Sequence, residues 1–191
     1  MCVVRNICMR SYVVLGLLVF VCLALFACRD ELVERNIAKL YNDTISLPLD
    51  TFIYVSNYRK GTEERIQSPY KMVVYVDSAS CSKCSIRRLD EWDDLFFLER
   101  DNRVDFIYIF STKDPLPLVN EYRKSAIKHG IYVDTCNAFL QINTHIPQEN
   151  MYHTFMVDST KHIILVGNPT RNKKIKHLFK KRIGNRKKVS G

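Results

Sequence analysis

The chain lacks the second pair of ligands that a structural zinc site needs. It has one Cys-x-x-Cys, at Cys81 and Cys84, but no second such pair and no two histidines at the spacing of a zinc finger. Ser85 stands where a c-type haem attachment motif has histidine. The chain also has no internal repeat, no low-complexity linker and no nucleotide or flavin motif. We therefore predict no cofactor, and a metal site is the less favoured interpretation of the cysteine pair.

The first 27 residues have the composition of an export signal. Arg5 and Arg10 precede the uncharged segment 11–27, SYVVLGLLVFVCLALFA. Residues 25–28, Leu-Phe-Ala-Cys, resemble a bacterial lipobox, so we predict a lipoprotein signal peptide at 1–27 and a lipid on Cys28. An uncleaved anchor is the alternative, because segment 11–27 is just long enough to span a bilayer core. Both interpretations place the remaining chain in the cell envelope, facing the periplasm or on a surface membrane.

The mature chain is long enough for one domain, which we place at residues 50–183 after a membrane-proximal stalk at 28–49. The net charge of +9 is concentrated near the end, where residues 171–191 carry ten Lys and Arg and no acid. An exported, anchored protein rarely meets nucleic acid, so we predict a solvated helix and a basic tail at 184–191. Attraction to anionic lipid head groups is the alternative.

The segment Cys81-Ser-Lys-Cys84 follows the apolar run Met72–Asp77 and begins a predicted helix. At such a junction the first sulfur faces the N–H groups of the first helical turn, which stabilise a thiolate together with the helix dipole. The second sulfur lies one turn on and can close a disulfide with the first. The pattern predicts a dithiol/disulfide centre, with an inert pair as an alternative. Lys83 would help to stabilise the thiolate.

The remaining patterns alternate between strand and helix. Apolar runs predict strands at 51–55, 72–76, 104–110 and 131–133, and an antiparallel hairpin from 153–158 and 162–167. Helices are predicted for about four turns from Cys81, at 118–129 with Gly130 as its C-cap, and in the basic segment around Ile175 and Phe179. This order predicts an α/β fold with a central mixed β-sheet flanked by helices on both faces.

Over about residues 50–183 the chain resembles the thioredoxin-like superfamily, in particular its membrane-anchored extracytoplasmic and redoxin lipoproteins. The resemblance rests on 73–77 leading into Cys81–Cys84, on 106–110, and on 154–158 followed by Gly167-Asn-Pro169. It implies a thioredoxin-like fold and thiol–disulfide oxidoreductase activity, with Cys81 as the exposed attacking thiol and Cys84 as the buried resolving thiol. The implied partners are protein thiols and disulfides of the cell envelope.

Two positions depart from the family pattern. Ser80 precedes the first cysteine, where the family usually has an aromatic residue. Tyr152 or His153 stands where the family has the cis-proline that binds substrate backbone, and we predict a trans peptide there, because a non-proline cis bond costs about 3–4 kcal/mol. His153 is a candidate proton carrier beside the sulfurs, with an ordinary strand residue as the alternative.

Two further residues are uncertain in role, and three functions stay open. Asp77 is a candidate for proton transfer at Cys84 or a simple turn residue, and Cys136 is a resolving thiol or, as we favour, a buried unreactive cysteine. The favoured function is a lipid-anchored oxidoreductase. The first alternative is a non-catalytic thioredoxin-fold binding module with a structural disulfide. The second is a peroxidase, although residues 77–81 lack the proline and threonine of a peroxidatic loop.

Overall fold

The computed structural model describes residues 31–57, 68–95, 98, 103–127 and 129–184, and the chain divides into two compact units. The first unit, Met1–Lys39, is helical over its described residues 31–39. The predicted signal peptide, Cys28 and residues 185–191 of the basic tail lie outside the described residues. Within the described part of the chain, no helix has the length and apolar character needed to cross a membrane.

The second unit, Leu40–Gly191, is built on a six-stranded sheet. Its strands are β1 (Ile53–Val55), β2 (Tyr70–Val76), β3 (Val104–Ser111), β4 (Ile131–Asp134), β5 (Thr154–Val157) and β6 (Ile163–Val166), in the order β1-β4-β3-β2-β5-β6. Strands β2, β3 and β4 are parallel, whereas β1, β5 and β6 are each antiparallel to their neighbours. The predicted mixed sheet and the predicted C-terminal hairpin are therefore confirmed.

The helices of the sheet unit whose bounds are described in full are α1 (Ser82–Arg87), α2 (Pro115–Lys124), α3 (Ala138–Ile142) and α4 (Lys173–Gly184). Short 3-10 helices cover Leu49–Thr51, Leu89–Leu95 and Asn150–Tyr152.

Helices cover both faces of the sheet, as predicted. Successive residues of a strand point to opposite faces, so Val74 and Tyr75 report on the two sides. Val74 belongs to the core formed with side chains of α1, the 3-10 helix Leu89–Leu95, α2 and α4. Tyr75 stacks on Phe139 of α3, with ring centroids 5.0 Å apart. Strand β3 has eight residues, lies between β2 and β4, and is buried along its whole length.

The helix after the cysteines is shorter than the predicted four turns. It ends at Arg87, and the chain continues as a 3-10 helix through Leu95. Leu89, Trp92 and Leu95 are all buried and are spaced by three residues, which is the period of a 3-10 helix. That spacing brings all three side chains to the core side.

The second helix begins and ends earlier than predicted. Pro115 and Pro117, which precede the predicted helix start at residue 118, lie in the first turn of α2, and the Asp114 carboxylate accepts a hydrogen bond from the Leu116 N–H (3.3 Å). Proline suits this position because its missing N–H would have no partner there. The prediction of Gly130 as a C-cap is wrong, because α2 ends at Lys124 and Gly130 lies against the ring of Tyr54.

The compact unit begins before the predicted domain boundary at residue 50. Leu40 and Ile45 are each only 1% exposed, and the Ile45 N–H donates to the Lys161 carbonyl (2.9 Å). Ser46 exchanges two hydrogen bonds with the Asn143 amide, at 2.8 and 2.9 Å. Residues 40–49, predicted as part of the stalk, therefore belong with the sheet unit.

Candidate redox site

The two cysteines form a disulfide at the start of α1. Their Cα atoms are 5.3 Å apart, and Cys81 is the N-cap of the helix. The Cys84 N–H donates to the Cys81 sulfur (3.3 Å), and the Ser85 N–H donates to the Cys81 carbonyl (3.0 Å). In the dithiol form, an N–H that donates to this sulfur favours its charged state.

Both cysteines are exposed. The resemblance implied that Cys84 would be buried, and the structure shows otherwise. The reason is the position of Cys84 in the first turn of α1, on the side that faces an open pocket rather than the core. A partner group therefore has access to either sulfur.

Asp77 shapes the turn between β2 and the disulfide. Its carboxylate accepts hydrogen bonds from the Ala79 N–H (3.0 Å) and the Ser78 hydroxyl (3.1 Å), and its carbonyl accepts one from the Ser80 N–H (2.9 Å). These are the bonds of a turn residue, and none reaches a cysteine. Lys83 is exposed and forms no hydrogen bond or ion pair with any described residue.

His153 lies directly before β5 and is only 2% exposed. Its Nε2 lies 3.0 Å from the Pro147 carbonyl, which requires the proton on Nε2, and its Nδ1 is buried without a hydrogen-bond partner among the described residues. Burial lowers the pKa of His153, although the Pro147 carbonyl and the nearby carboxylates of Asp77 and Glu149 oppose that shift. The ring stays neutral at physiological pH.

The peptide bond at His153 is trans, as predicted, and so are all other peptide bonds between described residues. The His153 carbonyl accepts a hydrogen bond from the Tyr75 N–H (2.8 Å), which extends the pairing of β2 with the segment before β5. His153 does not line the pocket at the sulfurs, and the neighbouring Thr154 does.

Tyr75 connects this region to α3. Its hydroxyl donates to the Asn137 side chain (2.6 Å), and its ring meets His153 edge to face at 5.2 Å. Burial raises the pKa of Tyr75 to about 12, with the Asp77 and Asp134 carboxylates acting in the same direction and the Ser111 hydroxyl opposing. Tyr75 therefore acts as a neutral hydrogen-bond donor.

An open pocket of about 440 Å³ lies beside the disulfide. Cys81, Cys84 and Ser85 form one side, and Val74, Val76 and Trp92 provide apolar surface. Polar side chains complete the lining: Arg88, Asn150, Thr154, Asn168 and Arg171. The pocket is large enough for a few residues of a partner segment to lie against the sulfurs.

Sequence inspection did not single out Arg88, Asn168 or Arg171. Arg88 lies four residues after Cys84, a spacing that places two side chains on the same side of a helix, and this signal would have found it. Asn168 and Arg171 follow β6, and only the pairing of β6 with β5 brings them to the pocket. No sequence spacing relates them to Cys81.

Cys136 is exposed, so the prediction of a buried cysteine is wrong. It lies in the turn before α3, and the Asp134 carboxylate accepts hydrogen bonds from the Cys136 N–H (3.1 Å) and from the first two N–H groups of α3 (3.0 and 2.9 Å). Cys136 does not line the pocket at the disulfide. Among the described residues, no three His, Cys, Asp or Glu side chains come together as ligands for a metal ion.

No protein-family model matches the chain, and no curated protein matches its sequence. Solved structures that are similar to it include a thioredoxin-like protein in its oxidised form (15% identity, TM-score 0.46, covering 73% of this chain and 93% of that one). Another is a candidate thiol-disulfide oxidoreductase from Bacteroides vulgatus (12% identity, TM-score 0.49, covering 61% of this chain and 75% of that one). A third is a conserved protein of unknown function from Bacteroides fragilis (12% identity, TM-score 0.45, covering 66% of this chain and 93% of that one).

The chain has the predicted α/β fold with a central mixed sheet, in which β2 and β3 are parallel and the cysteine pair lies between β2 and α1. Because each of the identities above is 15% or lower, the function below rests on the geometry of this chain.

Proposed function

We propose that this chain is an extracytoplasmic, lipid-anchored thiol–disulfide oxidoreductase in which Cys81 and Cys84 are the exchanging pair. The observation that carries the proposal is an exposed disulfide that borders an open pocket at the end of β2. A disulfide that only braces a fold needs no access for a partner sulfur. This one has both access and space.

The exchange is balanced without a further reactant. With the pair reduced, the Cys81 thiolate attacks a partner disulfide, forms a mixed disulfide and displaces one partner thiolate, which takes up a proton. The Cys84 thiol then gives up its proton and attacks the Cys81 sulfur, which releases the second partner thiolate. The partner gains two electrons and two protons, and Cys81–Cys84 becomes a disulfide. The same steps run in reverse oxidise a partner dithiol.

The site supports the attacking role of Cys81 rather than Cys84. The hydrogen bond from the Cys84 N–H is made to the Cys81 sulfur, so the charged form of Cys81 is the one favoured. The basic side chains of Lys83 and Arg88 lie on the same short segment and favour a thiolate in the same direction.

The proposed location rests on the N-terminal sequence. Arg5 and Arg10, the uncharged segment 11–27 and the small residue before Cys28 together fit a leader that is removed at a lipidated cysteine. An oxidising compartment outside the cytoplasm suits this chemistry, because protein partners there cycle between dithiol and disulfide. Those partners would be envelope proteins with accessible thiols or disulfides.

A non-catalytic binding module is the second candidate, and one observation favours it. Tyr152 or His153 occupies the place where the family binds substrate backbone with a cis-proline, and the peptide bonds at both residues are trans. A chain with this change could retain Cys81–Cys84 as a permanent disulfide and bind its partner without exchange.

A redox titration separates the two candidates. The full-length chain in neutral detergent is equilibrated in graded thiol/disulfide buffers, and alkylation of Cys81 and Cys84 is read by peptide mass mapping. We expect a midpoint between about −120 and −270 mV, the range of exchange catalysts. A pair that stays oxidised below about −300 mV would show that the disulfide is structural, and the binding module would then be the remaining candidate.

A trapping variant provides the second readout. Cys84→Ser removes the resolving thiol, so the mixed disulfide at Cys81 should accumulate with envelope proteins and disappear on reduction. Cys136→Ser is the matched control, because this exposed cysteine lies away from the pocket and its loss should not change the adducts. Equal adduct levels in Cys84→Ser and in Cys81→Ser/Cys84→Ser would contradict the proposal.

A further inference from the structure

The pocket beside the disulfide has basic and neutral polar side chains but no acidic one among its described lining residues. Two arginines reach it, Arg88 from the end of α1 and Arg171 from the segment after β6. An anionic group entering the pocket would therefore meet positive charge and no opposing carboxylate in the lining.

The two arginines differ in how far their charge is already neutralised. The Arg171 guanidinium binds the Glu91 carboxylate through Nε at 3.0 Å. Arg88 is exposed and forms no ion pair with any described residue. Its charge is therefore available to a ligand, whereas that of Arg171 is largely compensated.

Neutral donors lie at the same pocket. The Asn168 side-chain oxygen accepts hydrogen bonds from the N–H (2.8 Å) and the hydroxyl (2.7 Å) of Thr170, so the donating end of this amide has no partner among the described residues. Thr154, at the start of β5, adds a hydroxyl to the lining. These groups suit a ligand that is rich in oxygen acceptors.

The neighbouring Arg87 is also an exposed arginine, but of these two only Arg88 lines the pocket at the disulfide. The Arg87 guanidinium instead binds Glu121 of α2 at 3.2 Å. One residue along the chain thus separates a cation engaged with α2 from a cation beside the sulfurs.

We propose that the pocket selects polypeptide disulfides that carry an acidic residue next to the reacting cysteine, with Arg88 as the specificity-determining cation. The carboxylate would bind Arg88 while the cysteine beside it reacts with Cys81, which orients the disulfide toward the attacking sulfur. This inference rests on the proposed exchange activity and names its substrate class. It adds no chemical step to that exchange.

The test compares single-turnover reduction of three cyclic disulfide peptides that differ only in the residues flanking their cysteines: Asp, Ser or Lys. The full-length chain in neutral detergent is reduced, freed of reductant and mixed with each peptide, and the second-order rate constant is measured by acid-quenched thiol mapping. The readout is the ratio of the Asp-peptide rate to the Lys-peptide rate, because a general loss of activity affects both peptides equally.

We expect the Asp peptide to react about fivefold to tenfold faster than the Lys peptide at low ionic strength, which is the size of one or two partly exposed ion-pair effects. The ratio should fall toward one in about 1 M salt, where the Debye length is about 3 Å. Arg88→Gln should lower the ratio about fivefold and Arg88→Glu should invert it, whereas Arg88→Lys should keep most of it. Arg87→Gln is the matched control and should leave both rates unchanged.

Three outcomes would overturn the inference and leave the proposed exchange in place. Equal rates for the Asp and Lys peptides in the unmodified chain would remove the selectivity, and the proposed exchange would still stand. If the ratio fell equally in Arg87→Gln and Arg88→Gln, the selectivity would be due to the overall charge of the chain and not to Arg88. A higher rate with glutathione disulfide than with the Asp peptide would assign the pocket to a small acidic thiol. Absence of exchange with every substrate would instead overturn the proposed function and this inference together.

Discussion

At the scale of single residues, His153 shows how burial changes the role of an ionisable side chain. The sequence made it a candidate proton carrier, because free imidazole titrates near neutral pH. In the structure its ring is enclosed between Tyr75 and the Pro147 carbonyl, and Nδ1 is buried without a partner among the described residues. Protonation would place a charge on that buried nitrogen, which burial disfavours.

The lowered pKa of His153 predicts a loss of stability in mild acid. Between the ordinary value of about 6.5 and the lower folded value, the unfolded chain binds a proton that the folded chain does not. The free energy of unfolding should therefore decrease as the pH falls below about 6.5, with a slope of at most about 1.4 kcal/mol per pH unit. Urea unfolding at pH 7.5 and 5.5 measures this difference.

Two variants isolate the contribution of His153. His153→Gln can still donate to the Pro147 carbonyl but cannot titrate. The difference in the free energy of unfolding between pH 7.5 and pH 5.5 should therefore be smaller in this variant. His145→Gln, at an exposed histidine, should show the same difference as the unmodified chain. An unchanged pH dependence in His153→Gln would show that other groups are responsible.

The residues of the candidate site were predictable only in part. Cys81 and Cys84 follow from a local pattern, because a Cys-x-x-Cys after an apolar strand has one favoured geometry. Arg88 lies within one helical turn of Cys84 and was predictable in principle. Thr154, Asn168 and Arg171 reach the pocket through the pairing of β5 with β2 and β6, which no local pattern specifies.

At the scale of elements, the turn between β5 and β6 is held by one carboxylate. Although burial opposes it, hydrogen bonds from the Thr160 hydroxyl and N–H and from the His162 N–H keep the pKa of Asp158 below its usual range. The same turn places Lys161 at φ +68°, in the left-handed region that is unfavourable for residues with a Cβ atom. The backbone of Lys161 is also engaged, since its carbonyl accepts the Ile45 N–H.

Glycine at this turn should stabilise the protein. Lys161→Gly removes the Cβ strain and keeps both backbone hydrogen bonds, so we expect the free energy of unfolding to rise by about 0.5–1 kcal/mol. The matched control is Lys180→Gly, at an exposed position inside α4, where the same substitution should cost about 1 kcal/mol. Chemical denaturation measures both, and a loss of stability in Lys161→Gly would contradict the strain assigned to this turn.

The elements that the sequence predicted well are those whose own side chains determine their secondary structure and burial. The runs that became β2, β3 and the β5–β6 hairpin are continuous and apolar, and their burial in the sheet follows directly. The predictions that missed depend on groups outside the segment. Helix α3 has five residues, so its own pattern is too short to detect, and its first N–H groups are bound by the carboxylate of Asp134 at the end of β4.

At the scale of the whole molecule, the sheet order explains why the reactive pair is accessible. The order β3-β2-β5 places the end of β2 next to the start of the antiparallel strand β5. The disulfide follows β2 and Thr154 begins β5, so both lie at this end of the sheet and line the open pocket. Helices cover both apolar faces of the sheet.

The same sheet unit would be held at a membrane by the proposed lipid, and the anchoring cysteine can be tested directly. In a Gram-negative host, the unmodified chain should incorporate an azido-palmitate label and have the mass of residues 28–191 plus acyl groups. Cys28→Ser should lose the label and retain the leader, because both lipid transfer and cleavage require that thiol. Cys22→Ser, within the apolar segment, is the control and should be labelled normally. An unlabelled full-length chain in the membrane fraction would instead support an uncleaved anchor, which leaves the sheet unit on the same side of the membrane with segment 11–27 as its attachment.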